Sequence, residues 1–296
     1  MKALVVGASG QLGSALLALL QARGIPAVGT YCSHPRQGSA VLDLRDREAV
    51  RRSFAGLEPD LVFLTQNAPG GVDFCEDHPD QAAAVLVGGT RHVLEAAAPR
   101  RAKVVLFSSD YVFDGESGPY AEEAPPSPIS VYGDAKLAAE EAVQAYPHGF
   151  LIARTTAVFS WSPGTKNIAM QIHERLGSRQ AFRAPNDQWC NPTLAEHLAA
   201  ACLDLALSDA RGTFNVVGRD WMPRYEMAAA LARAMSLDAS LIQSVATSEL
   251  RQRARRPLKG GLTTDKLRRA LGVEPPTMEE SLRRFSAKFR QEVTHA

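Results

Sequence analysis

Residues 3–13 read Ala3-Leu-Val-Val-Gly7-Ala-Ser-Gly10-Gln-Leu-Gly13, and the order of events inside that stretch decides the fold. The apolar run predicts a strand and the glycines a tight turn; Leu12, Ala15, Leu16, Leu19 and Leu20 then recur at helical spacing. Glycines let backbone approach a pyrophosphate closely, and the helix N-terminus offers it amide donors and positive partial charge. A glycine-rich turn before an ordinary surface helix is the competing reading. Strand, turn and helix in immediate succession favour the dinucleotide one, with Gly7, Gly10 and Gly13 as candidate cofactor contacts.

Outward from this turn, strand and helix patterns alternate. Strands are predicted at 3–7, 27–31, 61–65, 104–108 and 150–153, and helices begin near Gln11, Asp46, Pro79 and Val131. Asp46 suits an N-cap, with Glu48 in the first turn. This alternation predicts an α/β, Rossmann-type doubly wound parallel sheet. Beyond Ala157 it loosens; a helix over 193–207 and a strand over 212–218 read as late additions to the sheet. The expected division is a dinucleotide-binding domain of residues 1–159 plus 184–218, and a smaller substrate-binding cap of 160–183 plus 219–296.

Tyr132 and Lys136 lie four apart in Val131-Tyr-Gly-Asp-Ala-Lys136, which puts both on one helix face. An ammonium beside a phenol favours the phenolate and is expected to lower its pKa, equipping it to exchange a proton with an alcohol oxygen. Upstream, Pro125, Pro126 and Pro128 stiffen the approach to this helix.

The chain has 296 residues, a net charge of +1 and no dense basic, aromatic-laced stretch, so nothing points to nucleic acid or a membrane surface. Arg251 to Lys259 is the most basic run, and Ala254 and Pro257 interrupt it. Cys32, Cys75, Cys190 and Cys202 show no metal or disulfide spacing, and no His-Glu-x-x-His occurs. No metal is expected. Free thiols and the lack of a signal-like run predict a cytoplasmic protein.

Five signatures in order carry a resemblance: the Gly7–Gly13 turn; Val72-Asp73 with Glu76; Ser108-Ser-Asp-Tyr-Val-Phe-Asp-Gly115; Tyr132-Gly-x-x-Lys136; and Asp187-Gln188 with Pro192-Thr193. Arg224-Tyr-Glu-Met227, Arg256-Pro257 and Gly261-Leu262 add to it. Over nearly its whole length the chain resembles an extended short-chain dehydrogenase/reductase, closest to the dTDP-4-dehydrorhamnose reductase family. The resemblance implies an NADPH-dependent ketoreductase acting on a nucleotide-linked 4-keto sugar or similar polar ketone. It implies Tyr132 as proton donor, Lys136 on the nicotinamide ribose, and Ser109 as hydrogen-bond donor to the reacting oxygen. Asp110, Ala157 and Trp189 are implied substrate contacts. Gln11 and Leu12 would follow the pyrophosphate, Asp43 and Leu44 would flank the adenine, and Asn67, Ala68 and Pro69 would lie near the cofactor.

An NAD site of this type places an acid at the end of the second strand. Here Thr30-Tyr-Cys-Ser-His-Pro-Arg36 carries none, and Ser33, His34 and Arg36 could receive a 2′-phosphate, which favours NADP(H) and leaves NAD(H) open. Two departures from the family stand out. Leu86 replaces a relay asparagine and Ala157 a substrate-site tryptophan, which widens the expected pocket. Two further functions are weighed: a cofactor-binding regulatory subunit resembling methionine adenosyltransferase β, and a sugar-nucleotide epimerase using Cys190 and His173. The expected partner is a small molecule, with a homo-oligomer left open.

Overall fold

In the computed structural model, which describes residues 1–68 and 70–294, the opening stretch folds as strand β1 (Ala3–Val6) running into helix α1 (Gln11–Ala22). The first half continues with β2 (Ala27–Tyr31), β3 (Ser39–Val41), α2 (Arg47–Leu57), β4 (Leu61–Leu64), α3 (Gly71–Asp77) and α4 (Pro79–Ala83). A single π turn at Ala84–Gly88 leads into α5 (Gly89–Ala97), then β5 (Lys103–Ser109), α6 (Val131–Gln144) and β6 (Phe150–Thr155). The second half holds β7 (Val158–Phe159), α7 (Ile168–Gly177), β8 (Phe182–Pro185), β9 (Trp189–Cys190), β10 (Thr193–Leu194), α8 (Ala195–Leu207) and β11 (Gly212–Asn215). It ends with β12 (Met222–Pro223), α9 (Arg224–Ala234), β13 (Ile242–Val245), α10 (Asp265–Leu271) and α11 (Met278–Thr294).

Seven strands form one parallel sheet in the order β11-β6-β5-β4-β1-β2-β3. The side-chain period of two explains why both faces are covered. Ala3 and Val5, Leu61 and Phe63, and Val105 and Phe107 point to one core with Leu16, Leu20, Leu198 and Leu203 from α1 and α8. Leu4 and Val6, Val62 and Leu64, and Val104 and Leu106 point to the other, with Val50 and Phe54 of α2, Val93 of α5 and Val143 of α6. The strand order reverses between β1 and β4, and that is where an open α/β sheet leaves a crevice at its carboxyl edge. This is the Rossmann-type architecture expected.

A third core lies over that edge. It joins Phe159 and Trp161 to Ile172 and Leu176 of α7, Met227 and Leu231 of α9, and Phe285 of α11. Three short pairings brace it: β7 with β10, β9 with β12, and β8 with β13. Residues 182–190 thus pair with the C-terminal third of the chain. The expected helix over 193–207 gives up its first two residues to β10, and the expected strand over 212–218 stops at Asn215. Strand β3 was not expected.

A buried ion pair ties α6 to β6. Arg154 meets Glu140 at 2.7 Å, with both side chains almost fully enclosed. The Arg154 guanidinium also donates to the Glu122 carbonyl (3.1 Å) and lies over the Phe113 ring. The Glu122 carboxylate in turn accepts from the Asn215 amide at 2.9 Å, which reaches the edge strand β11.

Candidate active site

The turn after β1 is built around two close approaches. Gly7 has φ +80°, and a Cβ there would stand 3.0 Å from Thr65 Oγ1. A Cβ on Gly13 would lie 2.4 Å from the Gly7 carbonyl oxygen, so α1 starts pressed against the turn that feeds it. Gly10 caps α1 without a side chain, and no acidic residue occupies the first turn. The first amides of α1 therefore keep their donors and the positive end of the helix open to a ligand. Gln11 braces this turn: its Nε2 donates to the Val158 carbonyl (3.2 Å) and its Oε1 accepts from Ser160 Oγ (3.1 Å).

A cavity of about 450 Å³ runs from that helix start past the carboxyl ends of β4, β5 and β6. Gly10, Gln11, Leu12, Gly13 and Asn67 line it at one end, and Ser109, Tyr132, Lys136 and Ala157 at the other. The resemblance thus assigned these residues across much of the chain, and one cavity holds them. A wider cleft of about 1220 Å³ adjoins it, sharing Gln11, Asn67, Lys166, Asn167 and Gln171 and lined also by Ala68, Arg175, Arg183 and Arg256.

Tyr132 and Lys136 sit in the first two turns of α6, whose N-cap is Ser130, with its hydroxyl accepting from the Gly133 amide at 3.3 Å. Lys136 is buried; its Nζ donates to the Phe107 carbonyl at 3.0 Å and stands 5.6 Å from the Tyr132 ring centre. Burial pulls its pKa down to about 8. The expected lowering of the Tyr132 pKa is not found in the protein alone. Burial pushes the phenol upward, the Tyr111 hydroxyl adds to this, and a hydrogen bond with Ser109 opposes it. Burial outweighs what the Ser109 hydrogen bond returns. The Tyr111 ring meets Tyr132 edge-on at 5.4 Å.

Asp110 sits off the cavity wall in the protein alone. Expected to touch substrate, it lies behind Ser109. One carboxylate oxygen accepts from Ser109 Oγ (3.2 Å) and the other from the Gly261 amide (3.1 Å), and burial pushes its pKa up. Trp189 also stays off the cavity wall, with its ring 4.4 Å from that of Trp221. Ala157 does line it, in the left-handed region at φ +47°. Leu86 falls in the π turn, packed with Cys75, Tyr132 and Ala135, while its carbonyl accepts from Thr90 Oγ1 at 2.6 Å.

The remaining cofactor candidates lie outside that cavity, with Arg36 in a neighbouring pocket beside Gln11 and Ser14. The Arg36 guanidinium donates to Ser14 Oγ on α1 at 2.6 Å, and Ser33 and His34 are exposed and hydrogen-bonded to each other. Asp43 is paired with Arg45, and Leu44 is buried in the core under β1 and β2. Neither of these two lines the cavity, and Pro69 lies outside the described residues. The epimerase candidates do not meet there either. His173 packs edge-on to Trp161 and near Phe289, and Cys190 is enclosed in the third core, with burial pushing its thiol up to about 11.

The sequence reading missed Thr65, Gln66, Thr155, Thr156, Asn167, Gln171 and Arg224, all lining the cavity. Arg224 opens α9 and is half-buried; burial alone would lower its pKa, but Cys190, Tyr111 and Asp110 nearby hold it up. Gln66 Oε1, Ser108 Oγ and Thr155 Oγ1 on the cavity wall are buried without a hydrogen-bond partner. Orphaned polar atoms beside an uncapped helix start fit a polar, phosphate-bearing ligand such as a nicotinamide dinucleotide.

The chain is similar to known proteins over its full length. It is 30% identical over 296 residues to a "probable low-salt glycan biosynthesis reductase" of Haloferax volcanii, covering 98% of each chain. It is 31% identical to the methionine adenosyltransferase 2 subunit beta of Rattus norvegicus, over 99% of this chain and 91% of that one. A crystal structure of dTDP-4-dehydrorhamnose reductase from Bacillus anthracis in complex with NADP superposes with a TM-score of 0.88 at 25% identity, covering 97% and 99% of the two chains. The model of the RmlD substrate binding domain matches residues 1–291 without a break, and it is to that family that the chain belongs.

Proposed function

We propose that the protein is an NADPH-dependent ketoreductase of the short-chain dehydrogenase/reductase type, acting on a nucleotide-linked 4-keto sugar. The observation that carries this reading is Ser109, Tyr132 and Lys136 sharing one cavity with the uncapped start of α1. The Bacillus anthracis reductase bound to NADP supports it. The reduced nicotinamide supplies the hydride. Ser109 holds the carbonyl oxygen, and Tyr132 gives it the proton as negative charge develops. A phenol kept protonated by burial suits a donor. Lys136 holds the ribose and keeps a positive charge behind Tyr132. In the protein alone the Ser109 hydroxyl donates to Asp110 at 3.2 Å, and this one donor turns from Asp110 to the substrate carbonyl when Ser109 holds that oxygen.

The first turn of α1, with Gly7, Gly10, Gln11, Leu12 and Gly13, receives the pyrophosphate. Arg36, with Ser33, receives the 2′-phosphate, and no carboxylate at the end of β2 repels it. Asn67 and Ala68 border the junction of cofactor and substrate. Residues 1–159 with 184–218 hold the dinucleotide, and 160–183 with 219–296 close over the substrate, although 184–190 pair with the latter. Among the described residues no helix is long and apolar enough to cross a membrane. The free cysteines support the cytoplasm, and the partner in this reading is a small-molecule substrate and not a nucleic acid, with a homo-oligomer left open.

One observation favours a second reading. Leu86 fills the space behind Tyr132 with hydrocarbon, and the methionine adenosyltransferase β subunit is as similar in sequence as the reductases are. Incubation with NADPH and a panel of nucleotide-linked 4-keto sugars, followed at the nicotinamide absorbance, separates the two. Consumption of NADPH is expected. Tight NADPH binding with no consumption across the panel supports the regulatory subunit instead.

A further inference from the structure

Arg224 is anchored at the start of α9 by its amide, which donates to the Gln188 carbonyl at 2.8 Å. Its side chain lines the same cavity as Ser109, Tyr132 and Ala157. The guanidinium makes no hydrogen bond or ion pair within 4 Å with any described residue. Asp110 is its nearest acid in charge, but both carboxylate oxygens there are committed to Ser109 and Gly261. A half-buried guanidinium has lost much of its hydration and recovers it best by a forked pair of hydrogen bonds to an oxyanion.

Arg175, Arg183 and Arg256 line the wider outer cleft, which is where the diphosphate of a sugar nucleotide would extend, and Lys166 lines both that cleft and the cavity of Arg224. Arg224 does not line the cleft and shares its cavity with the hydroxyls assigned to the carbonyl. Ala157, with one methyl group, leaves room on the same wall.

We infer that Arg224 receives a carboxylate carried by the sugar portion of the substrate, making the preferred ketone a keto sugar acid and not a neutral deoxyhexose. The inference rests on the reading above only for where the carbonyl lies. It is tested by binding, without turnover. Titration calorimetry, with and without NADP⁺, compares UDP-glucuronate with UDP-glucose and the dTDP pair likewise. The acid should bind about tenfold or more tightly than the neutral sugar, the effect of one forked charge-assisted contact. Arg224→Gln should remove that difference while leaving affinity for the neutral sugar unchanged, and Arg224→Lys should restore part of it.

Equal affinities in the unmodified protein, including no binding of either, overturn the inference. So does a preference that survives Arg224→Gln. A loss of the same size for acid and neutral ligands would assign Arg224 to phosphoryl groups or to the fold, and also overturns it. Failure of the reductase reading shows separately, as absent NADPH consumption across the keto-sugar panel.

Discussion

Burial pushes the Tyr132 hydroxyl upward, so at neutral pH it remains a proton donor. Tyr132→Phe should therefore leave NADPH affinity nearly unchanged and slow turnover by about 10²–10⁴-fold, the usual worth of general acid catalysis. Calorimetry and steady-state rates on the same preparation check this, and normal turnover would remove Tyr132 from the mechanism. Lys136 gives a pH prediction. Its pKa is depressed to about 8, so the ammonium is present below that pH and lost above it. NADPH affinity should hold below about pH 8 and weaken as pH rises through it. Lys136→Met should bind weakly with no such slope. At this scale Tyr132, Lys136 and Ser109 were legible because each sits in a short local pattern. Arg224, Thr156 and Asn167 were not, since their meeting depends on chain reversals that no local spacing records. The place of Asp110 behind Ser109 was not legible either, because a sequence does not say which side of a strand end a carboxylate faces.

Glu140 and Arg154 join α6 to β6, and with them the helix that carries Tyr132 to the strand beside it. Removing one partner of a buried pair leaves an uncompensated charge and costs about 3–5 kcal/mol. Glu140→Gln should lower the denaturation midpoint accordingly, and combining it with Arg154→Met should cost less than the two changes added together. Additive losses would mean the pair is not coupled. Elements whose cause is local were readable. The Asp46 side chain accepts from the Ala49 amide at 2.9 Å, as an N-cap should, and β2 spans the predicted residues. Strand β3, three residues long at the sheet edge, carries too little pattern to be seen. The π turn at Ala84–Gly88 was invisible because its composition is that of any apolar helix.

On the scale of the whole molecule, the dinucleotide reading makes folding and binding inseparable. A ligand at a hundred times its dissociation constant stabilises the native state by about 2.7 kcal/mol. NADPH should raise the melting temperature, and NADH at the same concentration should raise it less, since Arg36 would find no 2′-phosphate. Equal shifts in scanning calorimetry would remove Arg36 from cofactor selection. The sheet also has a history written into its order. Its edge strand β11 pairs only with β6, yet α7, four short strands and α8 are made between them. At about 5–20 residues per second, several seconds of synthesis separate the two. Throughout that interval Leu151, Ile152 and Ala153 present bare amides and carbonyls to the cell, a template that another nascent copy could extend. The moment of greatest danger for this chain thus comes on the ribosome, after the catalytic helix has emerged and before the strand that seals its neighbour has been made.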